Sequence, residues 1–296
     1  MKKQIQGNLM LLLSAMIWGV AFVFQSVGMA YVGPFTFQFA RFLLGGVVLL
    51  PVVWVMDRKN GRGKGYLARW KDRKLLLTGL ICGVFLFLAN TMQQVSLLYT
   101  SAGKAGFLTA MYIVMVPVMG LLFHRRVSGR VWCGVGLAAA GLYLLSLGGQ
   151  GGINRGDLYA LAGAVAFACQ MTAVDHFASG LDGVRLSCLQ IFVCAALSGI
   201  AMLFQEKPEL HAIASCWVPI CYTGILSLAV GYTLQILSQQ RTNTAIAALL
   251  MSTESVFAAL AGWLVLQERL RVPELVGCGL ILSALVLSQL PGKQKK

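Results

Sequence analysis

The chain has 296 residues, of which 58% are apolar and only 11% charged. Soluble domains carry roughly 25% charged residues, so this chain lacks the charge to coat a water-facing surface, and its mean hydropathy is +0.76. The formal net charge of +14 would suggest nucleic acid in a soluble protein, but the placement of the cations excludes that reading.

A helix needs about 20 mostly apolar residues to cross the hydrocarbon core of a bilayer. Ten such runs follow one another, at about 8–31, 35–56, 74–98, 101–123, 131–148, 157–177, 184–204, 214–237, 243–266 and 274–290. Gly, Pro and charged residues punctuate the breaks, as at Gly33-Pro34 and from Gly180 to Gly183. No run alternates apolar with polar residues, so helices are expected and not barrel strands. The first run is too long for a signal-peptide core and a second span follows at once, so it is expected to be retained.

With the N-terminus inside, 18 of the 24 Lys and Arg fall on the inner side, eight of them between Asp57 and Lys74, and five on the outer side. That bias satisfies the positive-inside rule with both termini cytoplasmic, as an even number of spans requires. The basic 57–74 link reads as a topology determinant beside anionic lipid. Trp54, Trp132, Trp217 and Trp263 fall near span ends, where an aromatic belt is expected, whereas Trp18 is mid-span. The eight Cys lie in or beside apolar runs with no Cys-x-x-Cys. They read as small packing residues without disulfides.

The two halves resemble each other. Gly7-Asn8-Leu9 matches Gly156-Asp157-Leu158 at an offset of 149, which also lays Arg41-Phe42 on Gln190-Ile191. After the basic link the offset falls to 142 or 143, pairing Gln93 with Gln235, Thr100 with Thr242, Phe107 with Leu249 and Gly134 with Gly277. Two units are expected, 1–150 and 151–296, of five spans each. An odd number of spans inverts the second unit relative to the first. Inverted repeats are typical of secondary transporters, whose site lies near the midplane between the halves.

Charged residues inside a bilayer cost at least about 2.5–3.5 kcal/mol and normally face a cavity or a partner. Arg41, two turns into the second span, and Glu254, mid-way along the ninth, stand out. They pair with each other or line one aqueous cavity. Glu254 is also a candidate proton carrier. Gln38 and Arg41, and Asn90 with Gln93 or Gln94, share helix faces by spacing. Gln25, Thr109, Tyr112, Gln170, Gln190 and Gln235 add polar groups helix by helix, and Trp18, Phe107 and Tyr112 are candidate aromatic walls. For any single one, an interhelical hydrogen bond or ordinary packing is the competing role. Gly45-Gly46, Gly141 and Gly277 permit close helix contact, and Pro117 removes one helical hydrogen bond. No His spacing suits a metal, and no hydrolase, metalloprotease or phosphate-loop motif occurs. Neither an enzyme nor a cofactor is expected.

Trp18-Gly19-Val20-Ala21-Phe22-Val23 with Gln25 resembles the first-span signature of EamA-type carriers of the drug/metabolite transporter superfamily. So do Phe39-Ala40-Arg41-Phe42-Leu43-Leu44, the run from Thr100 to Thr109 leading to Val116-Pro117, Glu254-Ser255-Val256-Phe257, and Gln267-Glu268-Arg269-Leu270. The resemblance implies an all-α membrane protein of ten helices in two inverted five-helix repeats around a central cavity. It also implies movement of small metabolites, often export of amino acids or related compounds. Where the family often has Pro after the ninth-span Glu, this chain has Ser255, which weakens any expectation of a kink there. The expected protein is an inner-membrane carrier, monomer or homodimer, working by alternating access. Its partners are a small-molecule substrate and the bilayer, with no nucleic acid; protons are the candidate coupling ion if transport is secondary active, and facilitative transport is the alternative. Its candidate binding or gating residues are Trp18, Gln38, Arg41, Asn90, Gln93, Gln94, Tyr112 and Glu254. The competing classes are a sensor or assembly protein, or a lipid-handling protein, on a transporter-like fold.

Overall fold

Long apolar runs with no water around them can satisfy their backbone only by forming helices. The computed structural model describes residues 2–59, 69–100, 102–122, 127–146, 154–265 and 272–289. The first half comprises α1 (Lys2–Gly28), α2 (Pro34–Lys59), α3 (Arg73–Ser96), α4 (Ala102–Thr109), α5 (Tyr112–Leu122) and α6 (Gly129–Ser146). The second comprises α7 (Arg155–Phe177), α8 (Gly183–Gln205), α9 (Leu210–Ser215), α10 (Trp217–Cys221), a π-helical stretch (Tyr222–Tyr232), α11 (Thr233–Gln239), α12 (Thr244–Met251), α13 (Glu254–Val265) and α14 (Val272–Gln289).

Among the described residues, eight helical stretches are long and apolar enough to cross a membrane, and Gly129–Leu144 and Val272–Ala284 are shorter apolar helices. The eight coincide with the expected spans one to four and six to nine; the two shorter ones fall at the fifth and tenth. Large apolar side chains face outward along the bundle, among them Leu80, Leu203, Leu264 and Val286. So wide an apolar exterior suits lipid and not water. Trp54, Trp217 and Trp263 are exposed near helix ends, as a belt requires. All eight cysteines are free thiols.

The helices pack in a mirrored pattern. α2 lies along α8, and α6 lies along α14. α3 packs on α7 and α8, while the α10–π–α11 span packs on α1 and α2. α1 packs on α12 and α13, and α7 on α4 and α5. Glycines make the crossings close. A Cβ on Gly45 would lie 2.7 Å from Gly224 O, and one on Gly141 would lie 2.6 Å from Gly277 O.

Two spans are broken at the same register. Met111 N donates to Leu108 O and Ile113 N to Ala110 O; 142 residues on, Thr253 N donates to Leu250 O and Ser255 N to Ser252 O. These i→i−3 bonds end α4 and α12 and start α5 and α13 afresh. The second break needs no proline. Ser252 Oγ, Thr253 Oγ1 and Ser255 Oγ each donate to the carbonyl three residues back, at 2.7–2.8 Å. Such side-chain bonds compete with the helical ladder. The first break lies more than a turn before Pro117, which sits inside α5.

The α2–α8 pair is clasped at both ends. Glu206, just past α8, accepts from Phe35 N (2.9 Å), Thr36 N (2.8 Å) and Thr36 Oγ1 (2.6 Å), filling the first turn of α2. At the other end Asp57 of α2 accepts from Arg185 in the first turn of α8, and from Arg69 Nη1 at 3.2 Å. Arg185 also pairs with Asp182, the N-cap of α8. The count of cations by side treats Arg185 as a loop charge; it is 2% exposed and ion-paired, so it is a structural element of that face. Beside the Glu206 end, Lys104 Nζ meets Asp157 Oδ2 at 2.7 Å, within the capping box that Asn154 and Asp157 form at the start of α7.

Candidate functional site

The central helices leave a narrow cavity between their side chains. Both helix breaks open onto it. Restarting a helix at Tyr112 and at Glu254 turns each of those side chains inward at mid-span, and both line the cavity. Tyr112 and Glu254 thus share the wall of one cavity. Gly19 lets α1 approach this break, since a Cβ there would lie 2.5 Å from both Glu254 O and Phe257 Cβ. The backbone beside Glu254 is therefore held by direct contact with α1.

Trp18, the neighbour of Gly19, is fixed by its indole. Nε1 donates to Ser227 O at 2.9 Å, and the ring lies against Tyr232 with centroids 4.8 Å apart at 49°. Ser227 belongs to the π-helical stretch, whose wider i→i+5 turns loosen the usual carbonyl pairing. Side chains of α1 supply partners there. Ser14 Oγ lies 3.2 Å from Gly231 O, and Tyr222 Oη of the π stretch donates back to Ile17 O at 3.2 Å.

Arg41 is 1% exposed and lines the cavity. Nη2 donates to Asn90 Oδ1 at 3.0 Å, and Asn90 Nδ2 donates to Leu86 O and to Tyr232 Oη. Phe37 and Phe42 flank the guanidinium, 5.6 and 5.3 Å from ring centroid to Cζ. Among the described residues the Nε of Arg41 has no hydrogen-bond partner. Glu254 is 4% exposed. Among the described residues neither Arg41 nor Glu254 forms a salt bridge, with each other or with any other group. Of the two arrangements open from sequence, sharing one cavity is the one found.

Six of the eight sequence candidates line this cavity: Trp18, Arg41, Asn90, Gln93, Tyr112 and Glu254. Gln38 and Gln94 do not. Gln38 Nε2 points the other way, donating to Thr91 Oγ1 (3.1 Å) and Ser198 Oγ (3.0 Å) and tying α2 to α3 and α8. Gln94 is fully buried with its amide unpartnered, away from the cavity wall. Phe107 packs in an apolar cluster with Ile113, Val135 and Leu249 and is not a cavity wall. Wall residues that sequence reasoning did not single out include Phe22, Phe167, Met171, Tyr232 and Met251.

A signal for these existed. The offset of 149 carries Trp18 to Phe167 and Phe22 to Met171, and all four line the cavity. The offset of 142 carries Asn90 to Tyr232, Gln93 to Gln235, Thr109 to Met251 and Tyr112 to Glu254, again all at the wall. Only Gln93 and Gln235 share an identity, so matching by residue type finds one pair of the six. A second space lies nearer the Arg185 end, lined by Pro117, Thr172, Asp175, His176 and Thr244 among others. No group of three or more metal-ligating side chains occurs among the described residues.

The EamA-like transporter family profile matches the chain twice, over residues 5–147 and 154–290. An uncharacterized transporter of Archaeoglobus fulgidus is 31% identical over 290 residues, covering 97% of this chain and 87% of the relative. A second uncharacterized transporter of the same organism is 30% identical over 170 residues, 57% of this chain and 53% of the relative. A crystal structure aligns over 98% of both chains with a TM-score of 0.78 at 19% identity, a likeness of fold.

Proposed function

The chain belongs to the EamA-like transporter family and is a multi-pass membrane transporter of small molecules; from this premise we propose that its cargo is a small zwitterion held between Arg41 and Glu254. One observation carries the proposal. A buried guanidinium and a buried carboxyl group line one cavity, and neither has a charged partner among the described residues. An unpaired buried charge costs several kcal/mol, and a ligand carrying the opposite charge removes that cost. An amino acid or a close relative brings a carboxylate for Arg41 and an ammonium for Glu254. Asn90, Gln93 and Gln235 orient it through hydrogen bonds, and Trp18, Tyr232, Phe22 and Phe167 pack its apolar part. Glu254 is also the group through which protons would be coupled, because a carboxyl without a cation beside it exchanges a proton for an ammonium.

The transport cycle is alternating access between two inverted five-helix units, 1–150 and 151–296. The paired offsets, the paired helix breaks, the mirrored packing and the twofold profile match support this arrangement. The bias of Lys and Arg supports an inner-membrane orientation with both termini cytoplasmic. The Glu206 end then faces out and the Arg185 end faces in. Export is the direction that the family resemblance suggests.

The test is counterflow in proteoliposomes loaded with each of the twenty protein amino acids, with and without a pH gradient. Uptake of a subset, lost in Glu254→Gln with the protein still folded by size exclusion, is expected. Flux of none of them with an otherwise folded protein contradicts the reading.

A further inference from the structure

Ten residues of the cavity wall other than Tyr112 and Glu254 fall into repeat-related pairs, and Arg41 is outside that pattern. Its mate 149 residues on is Gln190. Arg41 lines the cavity and Gln190 does not. Gln190 is fully buried in α8. Its Oε1 accepts from Gln170 Nε2 at 3.0 Å, and Gln170 Oε1 in turn accepts from Gln235 Nε2 at 3.3 Å. The Nε2 of Gln190 has no partner among the described residues. Gln25 shows the same asymmetry: it lines the cavity and its mate Val174 does not. Arg41 and Gln25 both lie in the part of the bundle toward the Glu206 end, so the cavity leans toward that face.

We infer that Arg41 and Gln190 change places at the cavity wall as the transporter changes facing, so that a carboxylate meets a guanidinium from the outer face and an uncharged amide from the inner face. The inference rests on the alternating-access reading above. When two repeats exchange conformations, position 190 takes up the place that position 41 holds now, and Arg41 withdraws to the place of Gln190. Tyr112 and Glu254 behave differently. They are mates that both line the cavity already, so the carboxyl remains at the wall in either facing. The hold on an ammonium is common to both facings, and the hold on a carboxylate is sided.

A hydrogen bond to a charged donor is roughly twice as strong as one to a neutral amide. The expected effect is about a tenfold difference in half-saturation between the two faces. Sided affinity does not set the direction of net movement. Linkage requires that the preference of the empty carrier for one facing offset it. It decides which face saturates first.

The experiment is counterflow of radiolabelled protein amino acids, one at a time, in right-side-out and inside-out vesicles. The wild type should half-saturate about tenfold lower at the outer face. Arg41→Gln should remove the difference, and the exchange variant Arg41→Gln with Gln190→Arg should reverse it. Equal half-saturation at both faces of the wild type, or unchanged sidedness in a transporting exchange variant, overturns the inference. A second measurement needs no substrate. In a chain with the eight native cysteines replaced, Gln190→Cys is treated with a membrane-impermeant methanethiosulfonate carrying a sulfonate. Labelling from the inner face alone is expected; labelling from the outer face, or from neither, overturns the exchange. If no amino acid moves in the wild type, the zwitterion reading fails by itself, and the labelling still decides whether position 190 reaches the wall.

Discussion

Gln38 and Arg41 sit one turn apart on α2 and have opposite surroundings. Arg41 lines the cavity, and among the described residues its side chain has one hydrogen bond, to Asn90. Gln38 turns away from the cavity and ties three helices together through Thr91 and Ser198. Spacing placed the two on one face but could not say which neighbour each meets, because a helix face is wide and a Gln side chain is long. Gln38→Met should therefore cost about 1 kcal/mol of stability, the usual scale for a polar bond between membrane helices. It should leave substrate half-saturation unchanged, as unfolding in detergent and counterflow would show. Arg41→Gln should do the reverse: an equal or higher unfolding midpoint, since an unpaired buried charge is removed, with half-saturation at the outer face raised at least tenfold. Arg185 is the converse case in the sequence reading. Counted by side, it looked like a loop cation, whereas contact with Asp57 and Asp182 makes it part of the fold.

At the scale of the element, the informative features are the breaks. Apolar periodicity reads the fourth and ninth spans as continuous, because a break of two residues leaves the hydropathy of the run unchanged. The lack of a proline at position 255 argued against a kink, yet the hydroxyls of Ser252, Thr253 and Ser255 open the ladder without one. What was legible was the offset of 142, since the two breaks fall on it residue for residue. Gly19 locks the second break against α1. Gly19→Ala would drive a methyl group into Glu254 O and Phe257. It should cost about 1–3 kcal/mol as overpacking does, and should lower transport by more than tenfold through displacement of Glu254. Gly136→Ala and Gly279→Ala, where an added Cβ meets nothing within 4 Å, serve as controls and should leave transport and expression as in the wild type.

For the whole molecule, the orientation bias, the internal offsets and the all-helical membrane class could be read from composition and order alone. The closure of the bundle could not. Asp57 and Glu206 are themselves 149 residues apart, and each ends one helix of the α2–α8 pair while holding the first turn of the other. Nothing in the two local sequences announces this, because the partners are an arginine at one end and backbone amides with a hydroxyl at the other. The chemistry also makes the two clasps unequal. Asp57→Asn strips a buried arginine of a paired carboxylate and should cost about 3 kcal/mol. Glu206→Gln removes a charge from a helix N-terminus and should cost about 1 kcal/mol. Chemical unfolding of both variants in the same detergent would compare them.

The most direct measurement for binding between Arg41 and Glu254 is competition in counterflow by three forms of one transported amino acid: the free zwitterion, its methyl ester and its N-acetyl derivative. Removing either charge should weaken competition at least tenfold. Arg41→Gln should erase the distinction between the zwitterion and the ester while keeping the distinction from the N-acetyl form, the non-additivity expected of groups in contact. Equal competition by all three forms in the wild type, or an Arg41→Gln protein that still discriminates against the ester as strongly, would contradict a site built around these two charges.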